Sequence, residues 1–480
     1  MFFGRNQELA LLTKLNQRSD AQFLILYGRR RIGKTSLISY WMQHELEEGE
    51  YLYWMATQTS STNQLREFSQ AILHFIDPDA PVSPTFSYES WETALSRVAQ
   101  LASEKRFVLV MDEITYVMQA DPELPSLLQR AWDHTLKQSN LFLILTGSLA
   151  GIIQRSMLDY QAPLYGRATA RLKLQPLSFG TMKALLPNFT TEQRVAAYAI
   201  TGGVPAYIEL FDDSLNIIQN LRERFITPTN VMLNDAVFLL REQLDEPRNY
   251  MALLEAIANG AYTLSDIAKL AGLDRSNANR YLTILRELGY IERIVPATVQ
   301  HPERSRRGRY VFTDAYLRFY FRFLRPYLGE IERGRFNRVI NLLGDHLTDF
   351  IGAHTFEELC REWLNEKTDR GEMPYFLDRV GSHWSKTEQI DVIGINWRTK
   401  TILFGECKWG RQPIEANVID KLLKQSSKAE PSKGEWQKYY ILFRRADLTT
   451  AAQKRLNEVA VLDMSVDQIE AEMYQWQNAE

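Results

Sequence analysis

The sharpest chemistry in this chain lies in eight consecutive residues, Gly28-Arg29-Arg30-Arg31-Ile32-Gly33-Lys34-Thr35, followed by Ser36. Gly28 and Gly33 permit the tight backbone curve that turns successive N–H groups inward toward a polyphosphate. Lys34 is placed to reach its β and γ phosphates. Thr35 offers a hydroxyl to a magnesium ion bridging them, since this small hard cation prefers oxygen ligands. The arginines at 29 to 31 add positive potential. The set predicts ATP and Mg2+ as ligands, with residues 28 to 36 as the binding loop.

A second group of residues completes a hydrolytic site. Arg106–Ile114 reads RFVLVMDEI, an apolar run ending in two carboxylates. Asp112 is suited to hold the magnesium, and Glu113 to orient or deprotonate the attacking water. The run Leu141–Leu145 ends in Thr146-Gly147-Ser148. Thr146 or Ser148 can sense the γ phosphate there, although a turn built of small residues reads the same way. Arg167, in the PLYGR stretch, fits either an arginine finger or an ordinary salt bridge. A finger supplied by a neighbouring copy would imply a homo-oligomer.

These side chains need a framework. Phe23–Tyr27, FLILY, is a continuous apolar run of the kind buried on both faces of a parallel sheet. Thr35–His44 places Leu37, Ile38, Trp41 and Met42 at helical spacing. The glycine loop therefore joins a strand to a helix N-terminus, where the backbone dipole favours anions.

The middle of the chain changes pattern. Helices are predicted over Met251–Ala258, Leu264–Leu270 and Ser276–Leu288, separated by Gly260 and Gly272-Leu273-Asp274 and closed by Gly289. Ile291–Val295 and Tyr310–Phe312 can pair as strands around a wing carrying Arg304, Arg306, Arg307 and Arg309. Arg275, Asn277, Asn279 and Arg280 start the third helix, where a recognition helix meets base edges. DNA is the partner this winged helix suggests, and a protein-contact module or internal lid is the other use of the fold.

After an aromatic, arginine-rich helical segment, Tyr316–Leu328, the stretch Phe356–Leu364 (FEELCREWL) sets Phe356, Leu359, Cys360 and Trp363 on one apolar face. Gln389–Gly394 and Thr401–Lys408 read as paired strands about the turn Asn396–Lys400. They bring Asp391, Glu406 and Lys408 toward one another. Asp391 and Glu406 suit a magnesium ion, Lys408 suits orienting water and offsetting charge, and Glu357 or Glu358 can complete the shell, as metal-assisted phosphodiester cleavage requires. The helix-compatible stretch Glu415–Ser427 and the strand Tyr439–Phe443 make this an α/β domain.

A family resemblance joins the parts. Phe3-Gly4-Arg5 with Glu8-Leu9, the phosphate loop, the MDEI strand, the TGS strand end, PLYGR and Thr201-Gly202-Gly203-Val204-Pro205 resemble the archaeal-type ATPase family of the AAA+/STAND group. The resemblance implies that Phe3, Gly4 and Arg5 flank the adenine and that Gly203 to Pro205 shape a helical lid. Phe356-Glu357, Val380-Gly381, Trp384, Ile390-Asp391 and Gly405-Glu406-Cys407-Lys408-Trp409 resemble the C-terminal domain of unknown function that accompanies these ATPases, itself similar to PD-(D/E)xK restriction-endonuclease-like nucleases. Where that pattern usually has Glu-Ile-Asp, this chain has Gln389-Ile390-Asp391, with Glu388 adjacent.

Composition agrees with several soluble domains: 480 residues, 45% hydrophobic and 24% charged, are too many for one core. No apolar run approaches a membrane span and no leader pattern opens the chain, so a cytoplasmic protein without membrane contact is expected. A net charge of −3 excludes a uniformly basic coat. Two cysteines, Cys360 and Cys407, exclude a disulfide framework. The expected fold is α/β: a P-loop parallel-sheet core over 1–175, a helical lid over 176–245, a winged helix over 246–315, a helical linker over 316–345, and a restriction-endonuclease-like α/β domain over 346–480. The functional expectation is an ATPase coupling nucleotide state to nucleic acid, with a Mg-dependent nuclease domain. The alternative is a nucleotide-dependent DNA-binding or protein-binding switch whose nuclease-like domain is inactive.

Overall fold

Unbroken apolar runs dictate the first sheet. In the computed structural model, which describes residues 3–79, 83–244, 246–431 and 434–479, they form β1 (Gln22–Tyr27), β3 (Phe107–Asp112) and β4 (Leu141–Gly147). The expected boundary residue 245 and the final residue 480 lie outside the described residues. With β2 (Tyr51–Met55) and β5 (Ala170–Lys173) these strands make a wholly parallel sheet in the order β2-β3-β4-β1-β5. β3 and β4 are buried along their whole length and β1 to its last residue, as strands covered on both faces must be. Leu52 and Trp54 of β2 turn inward, and Trp54 meets the rings of Phe68 and Trp91 at 5.1 and 6.0 Å.

The strand order decides the site. Because β4 lies between β1 and β3, the loop after β1 and the carboxylates ending β3 stand one strand apart. The Thr146-Gly147-Ser148 corner sits between them. The helix Lys34–Glu45 leaves the loop with Gly33 as its left-handed start (φ 93°) and buries Leu37, Ile38, Trp41 and Met42. The compact unit holding this sheet ends at Pro176.

The second unit runs from Leu177 to Ala479. Its first long helix, Thr191–Thr201, opens with a reciprocal cap between Thr190 and Gln193 and closes on Gly202 at φ 62°. Gly203 follows at φ 73°, and a Cβ there would meet the Leu177 carbonyl oxygen at 2.2 Å, so only glycine fits.

Helices Pro247–Ala258, Leu264–Ala271 and Arg275–Glu287 precede an antiparallel pair, β6 (Ile291–Ile294) and β7 (Arg309–Phe312), completing the winged-helix pattern. The third helix starts one residue earlier than its apolar spacing suggests. Asp274 caps it by accepting from the Ser276 and Asn277 amides at 3.0 Å each. The expected helix Tyr316–Leu328 is interrupted: Ala315–Phe319 passes into a wider turn over Tyr320–Leu324, and Pro326 shifts the path before Leu328–Glu332 begins.

The last sheet has the order β12-β11-β10-β9-β8, with β8 Arg379–Trp384, β9 Gln389–Asn396, β10 Thr401–Lys408, β11 Gln437–Arg444 and β12 Val461–Ser465. β8, β9 and β10 are antiparallel; β10, β11 and β12 are parallel. Helices Glu357–Asp369 and Ala416–Ala429 accompany it, and Val466–Ala479 ends the unit. Among the described residues no helix is long and apolar enough to cross a membrane.

Candidate phosphate site and carboxylate–lysine centre

At the C-terminal edge of the first sheet, one buried carboxylate organises everything else. Asp112 accepts at Oδ2 from Thr35 Oγ1 and from the Tyr53 hydroxyl, both at 2.7 Å. Its Oδ1 accepts from the Thr146 hydroxyl and, at 3.0 Å, from the Glu113 amide. Four donors thus hold a fully buried anion in a single orientation. Its neighbour Glu113 sits at φ 53°, a left-handed conformation costly for a residue with a side chain. That backbone turn delivers the Glu113 carboxylate to Ser148, whose amide and hydroxyl donate to Oε2 at 3.0 and 2.9 Å. Lys34 Nζ lies 3.7 Å from the other oxygen.

Lys34 also donates to the carbonyls of Gly28 and Arg29 at 3.1 and 3.3 Å, which curls the loop around it. Burial pulls its pKa below the ordinary lysine range, while Glu113 and Asp112 act to retain its charge. A second left-handed residue, Arg31 at φ 64°, bends the loop where Arg29, Arg30 and Ile32 surround it. Arg5 is buried and donates to the Ile32 carbonyl at 3.2 Å, the Gln175 carbonyl at 2.8 Å and Glu8 at 2.9 Å. It braces the loop from behind, and Gly4 precedes it in a left-handed turn (φ 69°). Arg167 forms an ion pair with Asp133 at 3.2 Å and donates to the Tyr165 carbonyl at 3.0 Å, so geometry supplies the salt-bridge reading of this residue.

Sequence reasoning passed over Tyr53, which looks like an ordinary strand aromatic. Its signal was the alternation in β2: with Leu52 and Trp54 inward, Tyr53 must point to the opposite face. Burial, reinforced by Asp112, drives its hydroxyl pKa far above the ordinary tyrosine value, so it remains a donor.

The second constellation forms in the last sheet. Asp391 Oδ2 accepts from the Cys407 amide at 3.0 Å, which registers β9 against the Glu406-Cys407-Lys408 strand. Glu406 is buried and bonded to Lys408. Glu357 pairs with Arg361 at 3.2 Å, and the same guanidinium donates to the Asp391 carbonyl at 2.9 Å. Burial and then Asp391 raise the Glu357 pKa, whereas burial and then Glu406 raise that of Asp391. Burial opposes the ammonium of Lys408, but Glu406 and Asp391 outweigh it and raise its pKa. The carboxylates thus share one electrostatic site, closed by Arg361 and Lys408. Among the described residues no three His, Cys, Asp or Glu side chains form a metal-ready group.

Two expectations change here. Glu358 does not join the centre, because Arg318 of the helix Ala315–Phe319 takes both of its oxygens. Glu388, adjacent to Gln389, is bound to Lys428. In the wing, Arg304, Arg306 and Arg307 are exposed, but Arg309 lies over the Trp384 ring at 4.6 Å and the Tyr262 ring at 5.7 Å. It is a packing residue, removed from the wing by its place at the start of β7. Arg275, Asn277, Asn279 and Arg280 are all exposed on the third helix.

Comparison with known proteins agrees with this layout. Residues 2–211 match an ATPase domain found predominantly in archaea, residues 249–294 the IclR helix-turn-helix domain, and residues 320–421 a group of archaeal and bacterial proteins of unknown function. An uncharacterized protein of Methanocaldococcus jannaschii is 30% identical over 446 residues, covering 92% of this chain and 95% of that protein. An uncharacterized ATP-binding protein of the same organism is 42% identical over 45 residues, 9% of this chain and 76% of that protein. Among solved structures, the Walker-type ATPase of Pyrococcus abyssi aligns with a TM-score of 0.50 at 19% identity, over 67% of this chain and 96% of that one.

Proposed function

The chain belongs to the archaeal-type ATPase family, and from that premise we propose that it hydrolyses ATP and couples nucleotide state to the engagement of DNA by its winged helix. One observation carries the reading: Thr35 and Asp112 are locked together at 2.7 Å, while Glu113 is aimed beside them by Ser148 and Lys34.

The loop amides from Gly28 to Ser36 and the helix start behind them bind the phosphates, and Lys34 moves from its loop carbonyls and Glu113 to the β and γ oxygens. Thr35 Oγ1 and the Asp112 carboxylate are hard oxygen donors side by side, a fit for Mg2+. When bound, this ion would offset the negative charge of the phosphates. Glu113 accepts the proton of the attacking water, and Ser148 keeps it in line. Thr146 holds Asp112, and Arg5 supports the loop. The test is phosphate release by wild type, Lys34→Ala and Glu113→Gln. Equal release by all three, or none from wild type, would reject the reading.

For DNA, the supporting features are the exposed polar start of the third helix and the exposed wing arginines. A second reading, that the C-terminal centre cuts nucleic acid, is favoured by the convergence of Asp391, Glu406 and Lys408 with Glu357 nearby. Its check is cleavage with Mg2+ or Mn2+ that disappears in Asp391→Ala and Lys408→Ala. Absence of cutting under every nucleotide condition assigns the domain to binding or assembly.

A further inference from the structure

Asp112 receives one donor that neither the loop, the carboxylate strand nor the Thr146-Gly147-Ser148 corner supplies. Tyr53 comes from β2, whose Met55 lies opposite Asp112 in the parallel register. Two residues earlier on the same side of the strand, the phenol reaches back to Asp112 Oδ2 at 2.7 Å. That oxygen is the one receiving Thr35 Oγ1, so the two hydroxyls flank it. The opposite oxygen is held by Thr146 and the Glu113 amide.

We propose that Tyr53 is a positioning residue for the divalent-cation half of the ATP site: its hydroxyl fixes the Asp112 carboxylate plane, and through it the Thr35 hydroxyl, in the arrangement a hard cation requires. The proposal rests on the ATPase reading. Asp112 without this donor keeps three partners but loses one of the two hydroxyls that fix the oxygen facing Thr35. A ligand pair that must be ordered at the moment of binding then holds a cation less tightly.

The test is direct cation binding by the full chain, followed by Mn2+ paramagnetic resonance in the presence of ADP. It is set beside fluorescent-nucleotide binding in EDTA and thermal melting. Tyr53→Phe keeps the ring and its packing. Its Mn2+ affinity is expected to fall about 10-fold, the scale of a hydrogen bond to a charged group, with metal-free nucleotide binding and melting unchanged. Tyr53→Leu provides a second variant lacking the hydroxyl and should show at least the same loss. Mn2+ affinity in Tyr53→Phe within about twofold of wild type, or an equal loss of metal-free nucleotide binding, would overturn the proposal. Asp112→Asn separates the parent reading. If that variant binds Mn2+ and ADP as wild type does, the metal site assigned to Asp112 fails irrespective of Tyr53.

Discussion

Glu470→Ala should be among the most damaging single substitutions in the second unit, although Glu470 belongs to neither candidate site. Its carboxylate, on the helix Val466–Ala479, receives Arg194 Nε at 2.5 Å, Arg194 Nη2 at 2.7 Å and the Thr191 hydroxyl at 2.9 Å. The side chains of Arg194 and Glu470 are only 7% and 4% exposed. Truncating Glu470 leaves the guanidinium buried with the carbonyls of Leu186 and Phe189 as neutral acceptors. Breaking a buried pair from one side costs about 3–5 kcal/mol, against about 0–1 kcal/mol for an exposed pair. The double substitution Arg194→Met with Glu470→Leu removes both charges and should recover most of the loss. The assay is denaturant unfolding of the full chain by tryptophan fluorescence, with hydrogen exchange by mass spectrometry to locate the change. Helices Thr191–Thr201 and Val466–Ala479 should lose protection together, while β1, β3 and β4 keep theirs. A cost below about 1 kcal/mol in Glu470→Ala, or a double variant no better than the single ones, would refute the reasoning.

Four further outcomes follow from the geometry. Gly203→Ala places a Cβ 2.2 Å from the Leu177 carbonyl oxygen at φ 73°, and should destabilise the second unit by about 1–3 kcal/mol or more in the same assay. Burial, then the charge of Arg318, holds the His354 pKa down to about 4, so its stabilising contribution is present above 6.5 and lost as pH falls toward about 4; the slope in that window should flatten in His354→Asn. Glu357 is shifted the other way, so its contribution is present below the ordinary carboxylate range and lost as pH rises above it; Glu357→Gln should gain on wild type at alkaline pH and match it in acid. Replacing Arg306 and Arg307 by alanine should weaken duplex DNA binding across sequences and reduce its salt dependence by up to about 2 in log–log slope, measured by fluorescence anisotropy, and an unchanged slope would remove the wing from the DNA contact.

The phosphate loop, the MDEI strand and the TGS corner were legible because each is local. Two glycines, a lysine and a hydroxyl at fixed spacing mean the same thing wherever the strand and helix around them lie. The winged helix was legible from turn residues punctuating a helical period, and Asp391, Glu406 and Lys408 from two adjacent strands joined by a short turn. Arg309 misled because an arginine next to a basic loop looks solvated until Trp384 and Tyr262 are seen beneath it. Glu358 misled because its partner, Arg318, lies 40 positions earlier.

By itself, then, the sequence determined the phosphate loop with its flanking strand and helix, the three helices of the winged-helix segment and the side chains able to do chemistry, since backbone propensity and residue spacing are short-range properties. Only the tertiary structure decided which of those side chains meet. Tyr53 joins Asp112 from 59 residues away because the register of β2 on β3 brings a side chain two positions short of Asp112's partner back to its carboxylate. Arg194 joins Glu470 across 276 residues because the last helix packs onto the Thr191–Thr201 helix, where both charges are buried together. Neither pairing has a local signature, for hydrogen bonds and ion pairs depend on distance in space, which chain separation does not encode.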